Sequence, residues 1–170
     1  MPPSANAPSG WFDIEDARYS DLGAMVYLSG LTETHQKRTL AQTLYTLEPP
    51  WRLNQYHIFR QDGFARGFVT FAGLSADAEY SYGVLRQPLS DRDYASGASF
   101  WIVDLVAPFG QVRQIVDLLK SHIPHATVRT NRLDSDLKTH RIVEWFRDTE
   151  GAIRTRILNP ADIPAPQVGD

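Results

Sequence analysis

The sequence of 170 residues contains no cysteine, which excludes disulfide bonds, catalysis by a thiolate and the common cysteine-based zinc sites. It has no uninterrupted apolar run close to the roughly 18 residues that a membrane-spanning helix requires. The N-terminal residues MPPSANAPSG have neither the charged region nor the apolar region of a signal peptide. These absences predict a soluble protein without a signal peptide or stable membrane insertion, and the lack of cysteine fits the reducing cytoplasm.

Long runs of lysine and arginine are also missing. The formal net charge is -3, which argues against non-specific binding of nucleic acid. The glycine-rich dinucleotide motif, the phosphate-binding loop, the zinc-protease motif and the nucleophile elbow are all absent. His122 and His125 lie in a proline-containing loop without a matching carboxylate, so we predict neither a metal site nor a bound cofactor.

What the sequence does contain is enough apolar material for one core. Hydrophobic residues make up 42% of the chain, and we predict a single domain over residues 11–158. The two ends, residues 1–10 and 159–170, are rich in proline, alanine and small polar residues, so we predict that both are unstructured.

Hydrophobic periodicity predicts a mixed order of helices and strands. Two helices come first, in IEDARYSDLGAMVYLSGL and HQKRTLAQTLYTL, and a hairpin follows in QYHIFRQDGFARGFVTFAGLS with its turn at Asp62-Gly63. Further strands are predicted at AEYSYGV, FWIVDLV, ATVRTNRL and RIVEWF, and a helix after Gly110. This order indicates an α+β fold, with a mixed central sheet flanked by helices.

Asp104 stands out because it interrupts an apolar strand. Period-two alternation places Asp104 on one strand face with Phe100, Ile102 and Val106. A buried, ionised carboxylate needs a partner, since burial without one costs several kcal/mol. Two interpretations are open: a structural acid that caps a nearby loop amide, or part of a functional site.

His35 is open to two interpretations as well. It lies between the first two predicted helices, in SGLTETHQKRTL, with Thr32 and Thr34 as possible helix caps. It is either an exposed residue at the start of the second helix or a general base.

Several segments together resemble one family, the RTX toxin-activating lysine acyltransferases. They occur in order from about Leu22 to about Arg147, and they are LTETHQ, PPWRLNQYHIFR, FAGLS, FWIVDLVAPFG and LKTH. Two departures from the family pattern are Thr32-Glu33-Thr34-His35, where members often have Ser-Pro-Leu-His, and Leu105 in place of a tryptophan.

The resemblance implies a fold like that of the GCN5-related N-acetyltransferases. It implies transfer of a fatty acyl group from acyl carrier protein to the ε-amine of internal lysines of an RTX protoxin, which activates the toxin. By motif, it implies that His35 and Asp104 are the catalytic pair, with Asp104 orienting the imidazole. His35 either removes a proton as lysine attacks the thioester or is itself acylated first. The resemblance also suggests a homodimer.

The segment after the central strand corresponds to the seat of the donor's phosphate in that family of folds. The proposed donor-binding residues are Ala107, Pro108, Phe109 and Gly110, which precede a helix N-terminus. The acidic carrier protein would meet some of the arginines Arg52, Arg60, Arg66 and Arg113. Residues with a possible role in substrate binding or site support are Thr32, Arg52, Asn54 and Gln55.

Two alternatives to this function remain at the level of the sequence. The first is an N-acetyltransferase of the same fold that uses acyl-coenzyme A as its donor. The second is a non-catalytic relative that binds a partner protein.

Overall fold

The structure, a computed structural model, describes residues 14–133 and 140–165. The helices are α1 (Asp16–Gly30), α2 (Leu40–Arg52), α3 (Ala76–Glu79) and α4 (Val112–His122), with a π-helical turn at Tyr80–Val84 and a 3-10 turn at Pro160–Asp162. The strands are β1 (Tyr56–Gln61), β2 (Phe64–Leu74), β3 (Ser99–Val106), β4 (Thr127–Leu133), β5 (His140–Arg147) and β6 (Ile153–Leu158).

The six strands form one sheet in the order of the chain. Neighbouring strands are antiparallel except β3 and β4, which are parallel. An α+β fold with a mixed central sheet is therefore confirmed. None of the helices in the described ranges has the length and apolar character needed to cross a membrane.

Local signals explain the first half of the sheet. Asp62 and Gly63 have φ angles of 52° and 81° and form the two-residue turn between β1 and β2. Positive φ at both positions is what the tightest hairpin turns require. Thr39 starts α2 as one half of a capping box with Gln42, which satisfies amide groups that have no partner inside the helix. The predicted hairpin and second helix are confirmed.

Helices cover both faces of the sheet. On one face, Met25 and Leu28 of α1 and Leu47 of α2 pack against Phe68 and Val106 of the sheet. On the opposite face, Ile115 and Leu119 of α4 pack into a second cluster with Val69, Ile102 and Val128. We call these the α1/α2 face and the α4 face.

The strand predicted at AEYSYGV is wrong, because this segment forms α3 and the π-helical turn. The Ser75 hydroxyl accepts a hydrogen bond from the Ala78 N–H and caps α3. The Tyr82 ring packs edge-on against Trp101, with ring centroids 5.5 Å apart. The alternating apolar residues that suggested a strand, Tyr80, Tyr82 and Val84, instead pack on the core from a helical turn.

The C-terminal part also departs from the prediction. Residues 153–158 form β6 at the sheet edge, and Asn159 begins the 3-10 turn that follows. Ile163 is only 3% exposed and belongs to the core cluster around Trp101. The average composition of the tail hid this one apolar side chain, which is large enough to anchor the segment to the core. Residues 1–10 and 166–170, for which we predicted no structure, and residues 137–139 of LKTH lie outside the described residues.

A β-bulge in β3 changes the face on which Asp104 lies. Thr70 of β2 is opposite Asp104, whereas the next residue, Phe71, is opposite Ile102, so Val103 is an extra residue. Phe100 and Ile102 therefore face α4, and Asp104 and Val106 lie on the α1/α2 face. The prediction that all four side chains share one face is wrong, because period-two alternation assumes an uninterrupted strand.

Candidate active site

His35 lies in the loop between α1 and α2, in a turn that its own backbone helps to close. The His35 N–H donates to the Thr32 carbonyl at 3.1 Å, and the Arg38 N–H donates to the His35 carbonyl at 2.9 Å. This turn directs the imidazole toward the sheet, where its side chain is 10% exposed. His35 is therefore not the exposed residue that the local sequence allowed.

The imidazole of His35 contacts Asp104 on one side and two hydroxyl groups on the other. Its Nε2 is 3.0 Å from Asp104 Oδ1. Its Nδ1 is 2.8 Å from Thr32 Oγ1 and 2.9 Å from Thr34 Oγ1. Because a carboxylate only accepts hydrogen bonds, the proton of the neutral ring belongs on Nε2, which leaves the lone pair on Nδ1.

Thr32 and Thr34 differ in what they can give to that lone pair. The Thr32 hydroxyl has one proton and two acceptors within reach, the Ser29 carbonyl at 3.0 Å and the unprotonated Nδ1 at 2.8 Å, so it can donate to only one of them at a time. Among the residues that the structure describes, the Thr34 hydroxyl contacts Nδ1 alone and can donate to it. If Nδ1 gains a proton, both threonine oxygens can accept from it. The site is thus built to accommodate either protonation state of His35.

Asp104 is held through three atoms. Its Oδ1 binds His35, and its Oδ2 is 3.8 Å from the Arg38 guanidinium. Its backbone N–H donates to Thr70 Oγ1 at 3.1 Å, which satisfies an amide at the bulge. Thr70 is 1% exposed. The carboxylate that the sequence left without a partner therefore has a histidine and a cation beside it.

Tyr82 is part of the site and was not predicted from the sequence. Burial, and secondarily the negative charge of Asp104, raises the pKa of its phenol far above the usual 10.0. Tyr82 therefore remains a neutral donor at physiological pH, and its O–H donates to the Val103 carbonyl at 3.4 Å. No sequence signal marked it, because its position depends on the π-helical turn.

An open cavity of about 400 Å³ surrounds the pair and is called the site cavity below. Its walls come from the α1–α2 loop, the segment after the π-helical turn, β3 and β4. It is lined by Thr34, His35, Arg38, Tyr82, Arg86, Gln87, Pro88, Val103, Asp104 and Asn131. Arg86 has a φ angle of 61°, unusual for a residue with a side chain, and donates to Asn131 Oδ1 at 2.5 Å.

The sheet opens beside this cavity. The parallel pairing of β3 and β4 covers only Trp101 with Arg129 and Ile102 with Thr130. Beyond Ile102, the remaining residues of β3 have no ladder partner on β4. The site cavity, which Val103 and Asn131 help to line, lies at this separation.

The predicted donor-binding segment, residues 107–110, joins the end of β3 to α4. Gly110 has a φ angle of 85°, which favours glycine. Phe109 is 48% exposed, and the Arg66 guanidinium lies over its ring, 5.5 Å from the centroid. Within the described chain, the side chain of the N-cap residue Gln111 accepts no hydrogen bond from the first turn of α4. The first backbone N–H groups of this helix therefore have no side-chain cap and point toward the loop.

Three other predicted residues lie outside the site cavity. Arg52 forms ion pairs with Glu48 and Asp91, at 3.0 Å and 3.1 Å. Asn54 has a φ angle of 56° in the turn after α2, and Gln55 donates to the Tyr94 carbonyl at 2.9 Å. Their contacts are those of a turn that connects α2 to the sheet, so the structure brings Thr32 to His35 but not these three.

The remaining described histidine side chains lie on the α4 face. His57, His122 and His125 border an apolar cavity of about 460 Å³ beneath α4. His125 stacks on Phe100, with ring centroids 4.0 Å apart. In the part of the chain that the structure describes, no group of three or more histidine, aspartate or glutamate residues is arranged to hold a metal ion.

Several known proteins are similar in sequence to this chain. The chain is 28% identical over 124 residues to the RTX-I toxin-activating lysine-acyltransferase of Actinobacillus pleuropneumoniae, which covers 73% of this chain and 72% of the relative. It is 25% identical over 129 residues to a protein-lysine myristoyltransferase of Kingella kingae, covering 76% and 77%. An uncharacterised protein of Synechocystis is 33% identical over 129 residues, covering 74% and 88%.

These relatives define the class: the chain is an acyltransferase. The model of the RTX toxin acyltransferase family matches residues 15–146. The chain belongs to that family.

Proposed function

We propose that this protein transfers a fatty acyl group from acyl carrier protein to the ε-amine of internal lysines of an RTX protoxin, and so activates the toxin. The observation that supports this most directly is the 3.0 Å contact between His35 Nε2 and Asp104 Oδ1 at an open cavity. The names of the relatives support the toxin as acceptor and a long acyl chain as cargo. We further propose a single domain that acts in the cytoplasm as a homodimer.

The reaction requires removal of a proton from the acceptor. A lysine amine has a pKa of about 10.4, so roughly one amine in a thousand is neutral and nucleophilic at pH 7. In our mechanism the amine nitrogen attacks the thioester carbonyl, forming the C–N bond, and His35 Nδ1 takes a proton from it. The C–S bond then breaks, and the imidazolium returns the proton to the leaving sulfur. General-base help of this kind contributes about 10² to 10⁴ in rate.

Asp104 has two roles in this mechanism. It fixes the tautomer by accepting from Nε2–H, and it stabilises the imidazolium once Nδ1 is protonated, the role that a carboxylate has in the serine-protease triad. Here, however, the carboxylate contacts Nε2 and the working nitrogen is Nδ1. Thr34 lines the site cavity beside Nδ1, so the amine would approach from the Thr34 side. Prior acylation of His35 on the same nitrogen is the two-step form of this route.

The separation of β3 from β4 supports a donor arrangement like that of the GCN5-related N-acetyltransferases. In those folds the pantetheine arm lies along the central strand and its phosphate rests at the following helix N-terminus. Here the corresponding seat is Ala107, Pro108, Phe109 and Gly110, ahead of the uncapped α4. This seat lacks the glycine-rich pattern of coenzyme A users, which favours a carrier-protein donor.

Arginine positions support a docking patch for the acidic carrier protein around that loop. Arg66 lies over Phe109, and the exposed Arg113 is in the first turn of α4. Arg60, by contrast, is paired with Asp21 at 2.6 Å, and Arg52 is paired with Glu48 and Asp91. We therefore assign the patch to Arg66 and Arg113.

The test is a transfer assay with matched donors. The protein is incubated with the unacylated RTX protein encoded in the same genome and with one of two donors. The donors are acyl carrier protein and coenzyme A, each loaded with the same acyl chain as a thioester. Intact mass should show the RTX protein gaining one or more acyl groups from the carrier-protein donor only. Turnover of the coenzyme A thioester alone would refute acyl carrier protein as the donor. An unchanged mass of the RTX protein with both donors would refute acyl transfer as the function.

A further inference from the structure

A second cavity adjoins the site cavity on its α2 side. It has a volume of about 560 Å³ and is lined by Arg38, Ala41, Gln42, Tyr45, Thr46 and Pro88. Arg38 and Pro88 border both cavities, so the two are neighbours. We call the second cavity the α2 groove; neither His35 nor Asp104 lines it.

The groove presents mixed chemistry. Tyr45 is 52% exposed on the outer surface of α2, and tyrosine is enriched at interfaces because its ring is apolar and its hydroxyl is polar. Gln42 Oε1 already accepts from the Thr39 N–H, and the Thr46 hydroxyl donates to the Thr43 carbonyl, which leaves the side-chain N–H groups of Gln42 to face a ligand. Arg38 adds a positive charge. An alkyl chain would offer no acceptor to the Arg38 guanidinium or to the Gln42 side-chain N–H groups, whereas the carbonyl groups of a peptide backbone can accept from both.

Arg38 stands where the two cavities meet. Its only side-chain partner among residues 14–133 and 140–165 is Asp104, at 3.8 Å, which is too long for a hydrogen bond. A guanidinium has five N–H donors. Several of them therefore remain available for a carbonyl or carboxylate oxygen of a ligand that passes from one cavity to the other.

We propose that the α2 groove holds an extended segment of the acceptor polypeptide next to the lysine that enters the site cavity. This inference rests on the proposed function. Ala41 to Tyr45 cover about 6 Å along the helix axis, which matches about two residues of extended chain. None of residues 107–110, the proposed seat of the donor, lines the groove, so donor and acceptor would reach His35 from different sides.

Two substitutions test the groove kinetically. Tyr45→Ala removes its aromatic surface, and Ala41→Trp fills it; both positions are exposed, so the fold should survive, which circular dichroism checks. Each variant should raise the KM for the RTX protein about tenfold, a typical loss at an interface anchor. Tyr27→Ala is the matched control, since Tyr27 is 67% exposed on α1 and lines neither cavity. Groove variants with the KM of the control would overturn the proposal.

Photo-cross-linking provides a readout that does not depend on turnover. p-Benzoylphenylalanine at position 45 should cross-link the unacylated RTX protein, and the same group at position 27 should not. If the unsubstituted protein transfers no acyl group, the proposed function fails, while a cross-link from position 45 alone still supports the groove as a polypeptide site. Equal labelling from both positions, or none from position 45, would overturn the groove.

Discussion

His35 and Asp104 are 69 residues apart in the chain and share a hydrogen bond of 3.0 Å between Nε2 and Oδ1. The α1–α2 loop supplies the histidine and the bulged central strand supplies the carboxylate. Because Nε2 is bonded to the acid, the nitrogen that we propose as the base is Nδ1, which the Thr32 and Thr34 hydroxyls contact. In the serine-protease triad, by contrast, the acid faces Nδ1 of the histidine.

We predict that His35→Ala and Asp104→Asn each lower the rate of acyl transfer by about 10²-fold or more, because the first removes the base and the second removes its stabilising charge. Single-turnover measurements with excess enzyme report this step. His57→Ala is the matched control, since His57 is an exposed histidine on the α4 face. A variant of either residue that keeps the unsubstituted rate would exclude that residue from the mechanism.

Thr70 should act as a positioning residue through the Asp104 backbone. Thr70→Val keeps the shape but leaves the Asp104 N–H without a partner, which should lower the free energy of unfolding by about 1–3 kcal/mol. It should also lower kcat, because the bulge that aims the carboxylate relaxes. Thr70→Ser restores the hydroxyl and should recover most of kcat. Urea denaturation and steady-state kinetics measure the two effects, and equal kcat for the valine and serine variants would contradict this role.

Buried tyrosines should make the protein less stable in alkali. Burial raises the pKa of both Tyr82 and Tyr94 above the usual 10.0, so above about pH 10 the unfolded chain loses protons that the folded protein retains. The free energy of unfolding should therefore fall with rising pH, by about 1.4 kcal/mol per pH unit for each tyrosine. Below that pH the contribution is fully present. Urea titrations at pH 9 and pH 11 measure it, and the fall should be smaller in Tyr82→Phe; an equal fall would contradict the assignment.

Arg129 should be important for stability rather than for chemistry. It pairs with Glu79 and with Glu144, whose side chain is 1% exposed. Arg129→Met leaves these buried carboxylates short of a partner and should cost about 3–5 kcal/mol. Arg52→Met, which breaks exposed ion pairs, should cost no more than about 1 kcal/mol. Equal losses in chemical denaturation would show that burial does not set the strength of these pairs.

Arg113 should affect donor binding. Arg113→Glu reverses an exposed charge beside residues 107–110 and should raise the KM for acyl-carrier protein about tenfold at low salt, with a smaller effect at high salt because ions screen the attraction. Arg154→Glu, an exposed charge reversal on β6, is the control. Identical KM values for the two variants would contradict our assignment of the docking patch to this loop.

Local sequence predicted the features that local physics determines. Asp62-Gly63 specified its hairpin because the turn needs positive φ at both residues. The approach of His35 to Asp104 could not be read from spacing, since it depends on how a loop crosses the sheet; only the family resemblance indicated it. Tyr82 was missed because the alternation of Tyr80, Tyr82 and Val84 fits a strand as well as a π-helical turn, and packing on Trp101 decided between them.

The sheet separates the apolar cluster beneath α4 from the open site cavity, and the bulge at Val103 determines on which of these two sides Asp104 lies. In a regular strand the two-residue spacing from Ile102 to Asp104 would put both side chains on the same side, and the carboxylate would lie among the apolar side chains beneath α4. The bulge instead takes Val103 out of the alternation and turns the acid toward the loop that carries His35, while β3 continues to contribute to the core on both sides of the sheet. The bulged conformation of this one residue therefore separates a buried, unpaired charge from a hydrogen-bonded pair at an open cavity.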